Sequence, residues 1–223
     1  MQRSEVNRLQ REALALFAAH RFSLPPFATW SEAEWRKSPE TAGYCLKHQM
    51  GWDITDFGSG RFEEVGLTVF TVRNGHPQQT PYTAKRYAEK ILIVGENQHT
   101  PMHHHLRKSE DIICRSGGNI LCRVYNSSAD GTLAGSDVAV SLDGVLHHVE
   151  AGHIFVLEPG MSITLTPHLY HEFWAQPGTG TSIAGEVSSV NDDETDNIFL
   201  DGCGRFPSIE EDVPATHKLC TEY

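Results

Sequence analysis

No apolar run in this 223-residue chain approaches the roughly 20 residues that a membrane-spanning helix needs. Basic charge is also scarce. Lys and Arg number 18 against 29 Asp and Glu, the formal net charge is −11, and no block of Lys and Arg exceeds two residues. That balance sets aside nucleic acid and anionic membrane surfaces as partners, and it suits a neutral small molecule better than a highly anionic one. Cysteine is sparse and unpatterned. The five cysteines, at 45, 114, 122, 203 and 220, are odd in number and include no C-x-x-C pair, so they read as free thiols of a reducing compartment. The opening stretch "MQRSEVNRLQREALALFAAH" is charged and amphipathic and lacks a secretory signal pattern; its two glutamates count against mitochondrial targeting. A cytoplasmic location is expected. Disorder is excluded by 39% hydrophobic residues, 9% of the chain being aromatic.

What is present divides unevenly. Residues 1–42 read as a helical segment. A first helix fills about the first 22 residues, with Ser4 as N-cap and Leu9, Ala13, Leu16, Phe17 and His20 on one face, and it stops at "LPPF". Ser31 and Glu34 have capping-box spacing for a second helix over Glu32–Lys37, ended by Pro39. From about residue 43 to 200, short β-branched runs recur between Gly, Asn, Asp and Pro: 66–73, 86–94, 110–115, 119–126, 137–142, 153–158, 162–166, 171–175 and 181–190. Regular short strands with turn chemistry between them read as an all-β sandwich or barrel. Cys114 and Cys122 fall in such runs and read as core residues. The tail, 201–223, is expected to pack as loops over the barrel. With no linker or internal repeat, one domain spanning 1–223 is expected.

The densest chemistry lies in "HTPMHHHLRKSEDIICRSGG", His99 to Gly118. In an extended segment residues i and i+2 share a face, so His103 and His105 can reach one metal ion while His104 points away. Lys108 and Ser109 allow a tight turn before Glu110, and Gly117 follows. Imidazole with carboxylate suits Mn²⁺, Fe²⁺ or Zn²⁺. The spacing H-x-H-x4-E-x6-G resembles the first half of the cupin metal motif, whose last ligand is a later His after a Pro-containing turn. "TPHLYHEFW" offers His171, preferred to His168, which directly follows Pro167 in the turn. His147 and His148, paired in a strand beside "GVL", are lesser candidates. The chain departs from the general cupin pattern in three places: Gly95 is far upstream, the turn lacks its Gly, and Ala175 replaces the final Asn.

Three longer blocks narrow the resemblance. "YAEKILIVGENQHTPMHHHLRKSEDIICRSGGNI", "PHLYHEFW" and "GEVSSVNDDETDNIF" together resemble the D-lyxose isomerase (D-lyxose ketol-isomerase) family of bacterial cupins, as does the pair of helices ahead of the barrel. The resemblance implies a jelly-roll-like cupin barrel with short N-terminal helices, and a divalent metal, most often Mn²⁺, on His103, His105, Glu110 and His171. It also implies interconversion of D-lyxose and D-xylulose, commonly of D-mannose and D-fructose, and a homodimer.

Such an enzyme moves hydrogen between C1 and C2 through an enediolate or by a hydride shift. A metal with two open octahedral positions stabilises the charge that develops on both oxygens. Proton transfer needs a base at the C1–C2 edge. Glu186 is the choice, because Ser182, Ala184 and Ser188 share its strand face and leave room for a sugar; an outward, solvated Glu is the ordinary alternative. Lys108 is the candidate to neutralise an oxyanion or shuttle a proton, against the alternative of a surface turn lysine. Lys90 could point into the barrel. Asp196 could hold a sugar hydroxyl or sit in a solvated acidic loop. Phe173 or Trp174 could stack on the sugar or pack in the core. Three rival readings share the ligand set: a phosphosugar isomerase, an Fe²⁺ cupin dioxygenase, and a non-catalytic sugar-binding cupin.

Overall fold

Inward and outward side chains alternate along the barrel strands, and that alternation assembles two facing sheets. The computed structural model describes residues 1–76 and 85–223. The eight-stranded sheet has the order β1 (Gly51–Thr55), β2 (Leu67–Arg73), β3 (Tyr87–Val94), β12 (Ser182–Ser189), β5 (Glu110–Gly117), β10 (Ser162–Leu165), β7 (Val138–Leu142), β8 (Val145–Val149). The five-stranded sheet has the order β13 (Asn197–Phe199), β4 (His103–His105), β11 (Leu169–Ala175), β6 (Ile120–Asn126), β9 (Ile154–Leu157). Neighbouring strands pair antiparallel throughout. The inner faces meet in a core that includes Leu92, Cys114, Cys122, Val140, Leu157, Ile163 and Ala184. The fold is the all-β cupin-like barrel that the strand pattern and the motif imply. Each of the nine strand-like runs becomes a strand, while β1 and β13 were not read from the sequence.

β1, β2 and β12 are buried on both faces over most of their length because helices cover the outer side of that part of the sheet. Helix α1 (Arg3–Ala19) lays Val6, Leu9, Ala13 and Phe17 against Trp52, Ile54, Phe70, Ile91 and Ile183. Two expectations for the helical segment change. Ser4 is not the N-cap. The cap position is Gln2, whose side chain makes no capping bond, and the tail does the capping instead. Asp212 accepts the Ser4 N–H at 2.9 Å, Glu210 accepts the Arg3 N–H at 2.8 Å, and the buried Arg3 guanidinium is held between Glu211 and Glu222. A cap supplied from 200 residues away leaves no local signal. The capping box at Ser31 and Glu34 does open α2 (Glu32–Lys37). Pro39, however, begins a further helix, α3 (Pro39–Lys47), as well as ending α2, because its missing N–H is harmless in a first helical turn. Helical structure therefore runs past residue 42. The tail lacks regular structure and docks on α1 and β1: Asn7 Nδ2 donates to the Pro214 carbonyl, and Cys220 N–H to that of Trp52.

Candidate metal centre and active site

β4 and β11 carry the histidines on one sheet, and β5 brings the carboxylate from the other. His171 stands directly opposite His103 in the β11–β4 register. Glu110 opens β5, opposite Ser188 of β12. The result is a cluster of one ligand atom each from His103, His105, Glu110 and His171, all within 4.8 Å of one another. His168 lies outside it, in a turn at φ +64°, with its ring 5.5 Å from that of His104. His104 faces away from the cluster and packs against Tyr170. His147 and His148 are exposed on β8, an edge strand.

The cluster has the chemistry of a metal site. The Nδ1 atoms of His103 and His171 donate to the carbonyls of Pro101 and Leu169, at 2.8 and 2.9 Å, which turns each Nε2 lone pair toward the shared centre. His171 Nε2 and His105 Nε2 both crowd onto Glu110 Oε1, at 3.0 and 3.3 Å, and His105 Nδ1 is buried without a hydrogen-bond partner. Three imidazoles, two of them buried and one half-buried, converging on a carboxylate would be costly as a mere packing arrangement, and a divalent cation would satisfy them. The protonation states of His103, His105 and Glu110 agree. Burial, then neighbouring His171, holds His103 well below its ordinary pKa; burial and Lys108 lower His105. Burial alone would raise the Glu110 carboxyl, but Lys108 and His105 outweigh it and keep it ionised.

Beside this centre lies a chain of buried charges. Lys108 Nζ is 2.6 Å from Glu110 Oε2 and 3.0 Å from Glu186 Oε1. Lys90, opposite Glu186 across the β3–β12 pair, is 3.3 Å from the same oxygen. Burial disfavours the Lys108 ammonium, yet Glu110 and Glu186 outweigh that and raise its pKa above the ordinary lysine value. Glu186, Lys108 and Lys90 are therefore interior groups, not surface ones. Phe173 is buried and lines the cavity, whereas Trp174 faces outward, stacked on His99 under the Arg123 guanidinium. Asp196 is structural. Its carboxylate accepts the backbone N–H groups of Arg107 and Lys108, at 2.9 and 3.0 Å, and so fixes the turn that aims Lys108 inward.

The member of that acidic run that does border the cavity, beside Glu110 and Glu186, is Asp193, not picked out from the sequence, and with it come Asn197, Phe199 and Arg205. Arg205 reaches in from the tail, pairs with Asp53, and lies 3.8 Å from Asp193 through Nε. Its Nη1 is buried and unpartnered. Lys90, then Arg205 and Lys108, overcome burial to hold Asp193 ionised. An acidic run and a lone tail arginine look solvated in sequence; only the long-range docking of the tail reveals them. The cavity offers about 40 Å³ of water-accessible space, room for about three waters.

The D-lyxose isomerase family model matches residues 1–223. The chain belongs to the D-lyxose isomerase family. It is 46% identical to the D-lyxose/D-mannose isomerase of Escherichia coli O157:H7 over 225 residues, covering 100% of this chain and 98% of that one. It is 47% identical to the D-lyxose/D-mannose isomerase of Serratia proteamaculans over 226 residues, with the same coverage. Among solved structures, the L-ribose isomerase of Cellulomonas parahominis, in complex with L-psicose, superposes with a TM-score of 0.62 at 16% identity, over 94% of this chain and 98% of that one. The L-ribose isomerase of Acinetobacter sp. DL28 gives 0.61 with the same identity and coverage. At that identity the likeness establishes a shared barrel. The sugar-isomerase assignment rests on the family.

Proposed function

We propose that this member of the family interconverts D-lyxose with D-xylulose, and D-mannose with D-fructose, with a divalent cation, Mn²⁺ by preference, on His103, His105, Glu110 and His171. The observation that carries the reading is the convergence of three imidazoles on one buried carboxylate, beside a second, ion-paired carboxylate. A divalent cation there supplies Lewis-acid polarisation of the substrate carbonyl and charge stabilisation for an enediolate. The chain's own residues supply the rest. Glu186 takes the proton from C2 of the aldose and returns it to C1. Lys108, kept protonated by Glu110 and Glu186, faces the oxygen on which negative charge grows and can lend it a proton. Lys90 flanks the base, Phe173 forms an apolar wall, and Arg205 Nη1 is free to donate to a sugar hydroxyl.

Charge favours a free sugar over a phosphosugar. The interior cations Lys90, Lys108 and Arg205 each already face carboxylates, among Asp53, Glu110, Glu186 and Asp193. A bound dication turns the net sign of that set positive, enough for one enediolate, whereas a phosphate dianion would displace these pairs at high desolvation cost. The test is turnover of D-lyxose, D-mannose and mannose 6-phosphate after chelation and readdition of Mn²⁺. The free sugars should react; a clear preference for the phosphate would overturn the reading.

We also propose a homodimer in the cytoplasm. Val145 and Leu146 on β8, and Ile154 and Val156 on β9, are exposed apolar side chains on the edge strands of the two sheets. All five cysteines are free thiols, which fits a reducing compartment. No described helix is long and apolar enough to cross a membrane.

A further inference from the structure

Two ammonium groups lean on the Glu186 carboxylate, and a single uncharged side chain touches both. Asn191 Oδ1 accepts from Lys90 Nζ at 2.7 Å and from Lys108 Nζ at 3.4 Å. Its Nδ2 donates to Asp193 Oδ2 at 2.7 Å. The two ends of the amide are thus fixed by opposite charges, oxygen toward the lysines and nitrogen toward the carboxylate. An Asp here would set a like charge against Asp193. A shorter hydroxyl would not span the two sides.

The backbone of Asn191 is held just as firmly. Its N–H donates to Asn74 Oδ1 and its carbonyl accepts from Asn74 Nδ2, both at 3.0 Å, and the same Nδ2 donates to the His48 carbonyl. Asn74 and Asn191 are 1% and 3% exposed. A chain of amides therefore runs from the end of α3, past the end of β2, to the two lysines. Asn191 is not among the residues lining the metal-side cavity; it borders the pocket behind it, with His48 and Asn74.

We propose that Asn191 is a positioning residue for the isomerisation: it holds Lys90 and Lys108 on Glu186 and thereby aims the base. The proposal rests on Glu186 being that base. Lys108 has three ammonium hydrogens and three acceptors within reach, Glu110, Glu186 and Asn191. Without the Asn191 acceptor both lysines are released to settle on the carboxylates alone, and the oxygen that must take the C2 proton is no longer fixed.

The test compares Mn²⁺-loaded wild type, Asn191→Ala, Glu186→Gln and the double variant on D-lyxose, with turnover expressed per bound metal. A hydrogen bond to a charged group is worth about 10- to 100-fold, so Asn191→Ala should lower kcat by about that factor while KM and metal content stay within about threefold. In the Glu186→Gln background the same change should have almost no further effect, because both act on one step. A merely structural role would lower melting temperature and metal content together and leave kcat per metal unchanged, and that result overturns the proposal. So does full additivity of the two losses. Should Asn191→Ala not fold, Asn191→Ser, whose shorter hydroxyl does not span the lysines and Asp193, should show the same loss of kcat per bound metal; a folded Asn191→Ser with normal kcat per metal contradicts the assignment. Near-normal turnover of Glu186→Gln would fail the base reading itself, whereas a slow Glu186→Gln with a normal Asn191→Ala would fail Asn191 alone.

Discussion

The two ends of the barrel interior are built from the same strands and differ in one respect. On β12, Ala184 sits between Leu92 of β3 and Cys114 of β5, in a row that belongs to the apolar core. Two residues further on, on the same face, Glu186 sits between Lys90 and Ile112. At the first end the inward positions hold side chains that ask only for volume. At the second they hold carboxylates, ammonium groups and imidazoles whose desolvation is offset only by one another and by what binds there. Strand alternation decides which residues face inward; the chemistry of those residues decides which end reacts. The apolar end can therefore be damaged through stability, and the polar end through metal, affinity or rate.

The largest separation of the two ends comes from His171→Ala. It should abolish both bound metal and turnover, measured by metal analysis of the purified protein, while His168→Ala leaves metal in place. Metal retained in His171→Ala and lost in His168→Ala would move the centre into the turn. Next is Arg205→Lys, which keeps the charge but loses the planar fork that reaches both Asp53 and the cavity. It should raise KM for D-lyxose about 10-fold with metal content unchanged; an unaltered KM would remove Arg205 from the sugar site. At the apolar end, Leu157→Ala deletes a fully buried side chain and should cost about 2–5 kcal/mol of stability. Its turnover per bound metal at low temperature should match wild type, and a large drop would show that the ends are coupled.

The smallest effect is one of pH on the chelated protein. Burial lowers the His103 and His105 pKa values below 6.5, and His48 and His217 are lowered likewise. The unfolded chain takes up protons there that the folded chain refuses. Stability is then complete above pH 6.5 and falls as pH drops below it. Thermal melts of metal-free protein between pH 7.5 and 5.5, as round working values on the order of one unit either side of the ordinary histidine pKa, should show a steady decline; a flat or rising profile would contradict it.

How much of this was legible beforehand follows from the range of each interaction. His103, His105 and Glu110 lie within eight residues, so their clustering needs only a strand and a turn. His171 could be preferred to His168 by motif, but it is the β11–β4 register that sets it against His103. The small strand-face neighbours of Glu186 point to an inward position, and it is buried. Asp193, Asn191 and Arg205 were not legible, because each sits in a polar stretch that reads as solvated. Their burial depends on contacts such as Arg205 to Asp53, 152 residues apart. The cap of α1, where Asp212 accepts the Ser4 N–H, leaves no local signal for the same reason. Asp196 was noticed for its acidity, yet its two oxygens hold a turn.

The central claim is that the polar end works through Glu186 as a base separate from the metal set. Glu186→Gln keeps the shape and removes the proposed base, and its Mn²⁺ content and kcat on D-lyxose, measured together, test that claim most directly. The account predicts full metal occupancy with turnover lowered by about 10²–10⁴-fold. Full occupancy with near-normal turnover would contradict it.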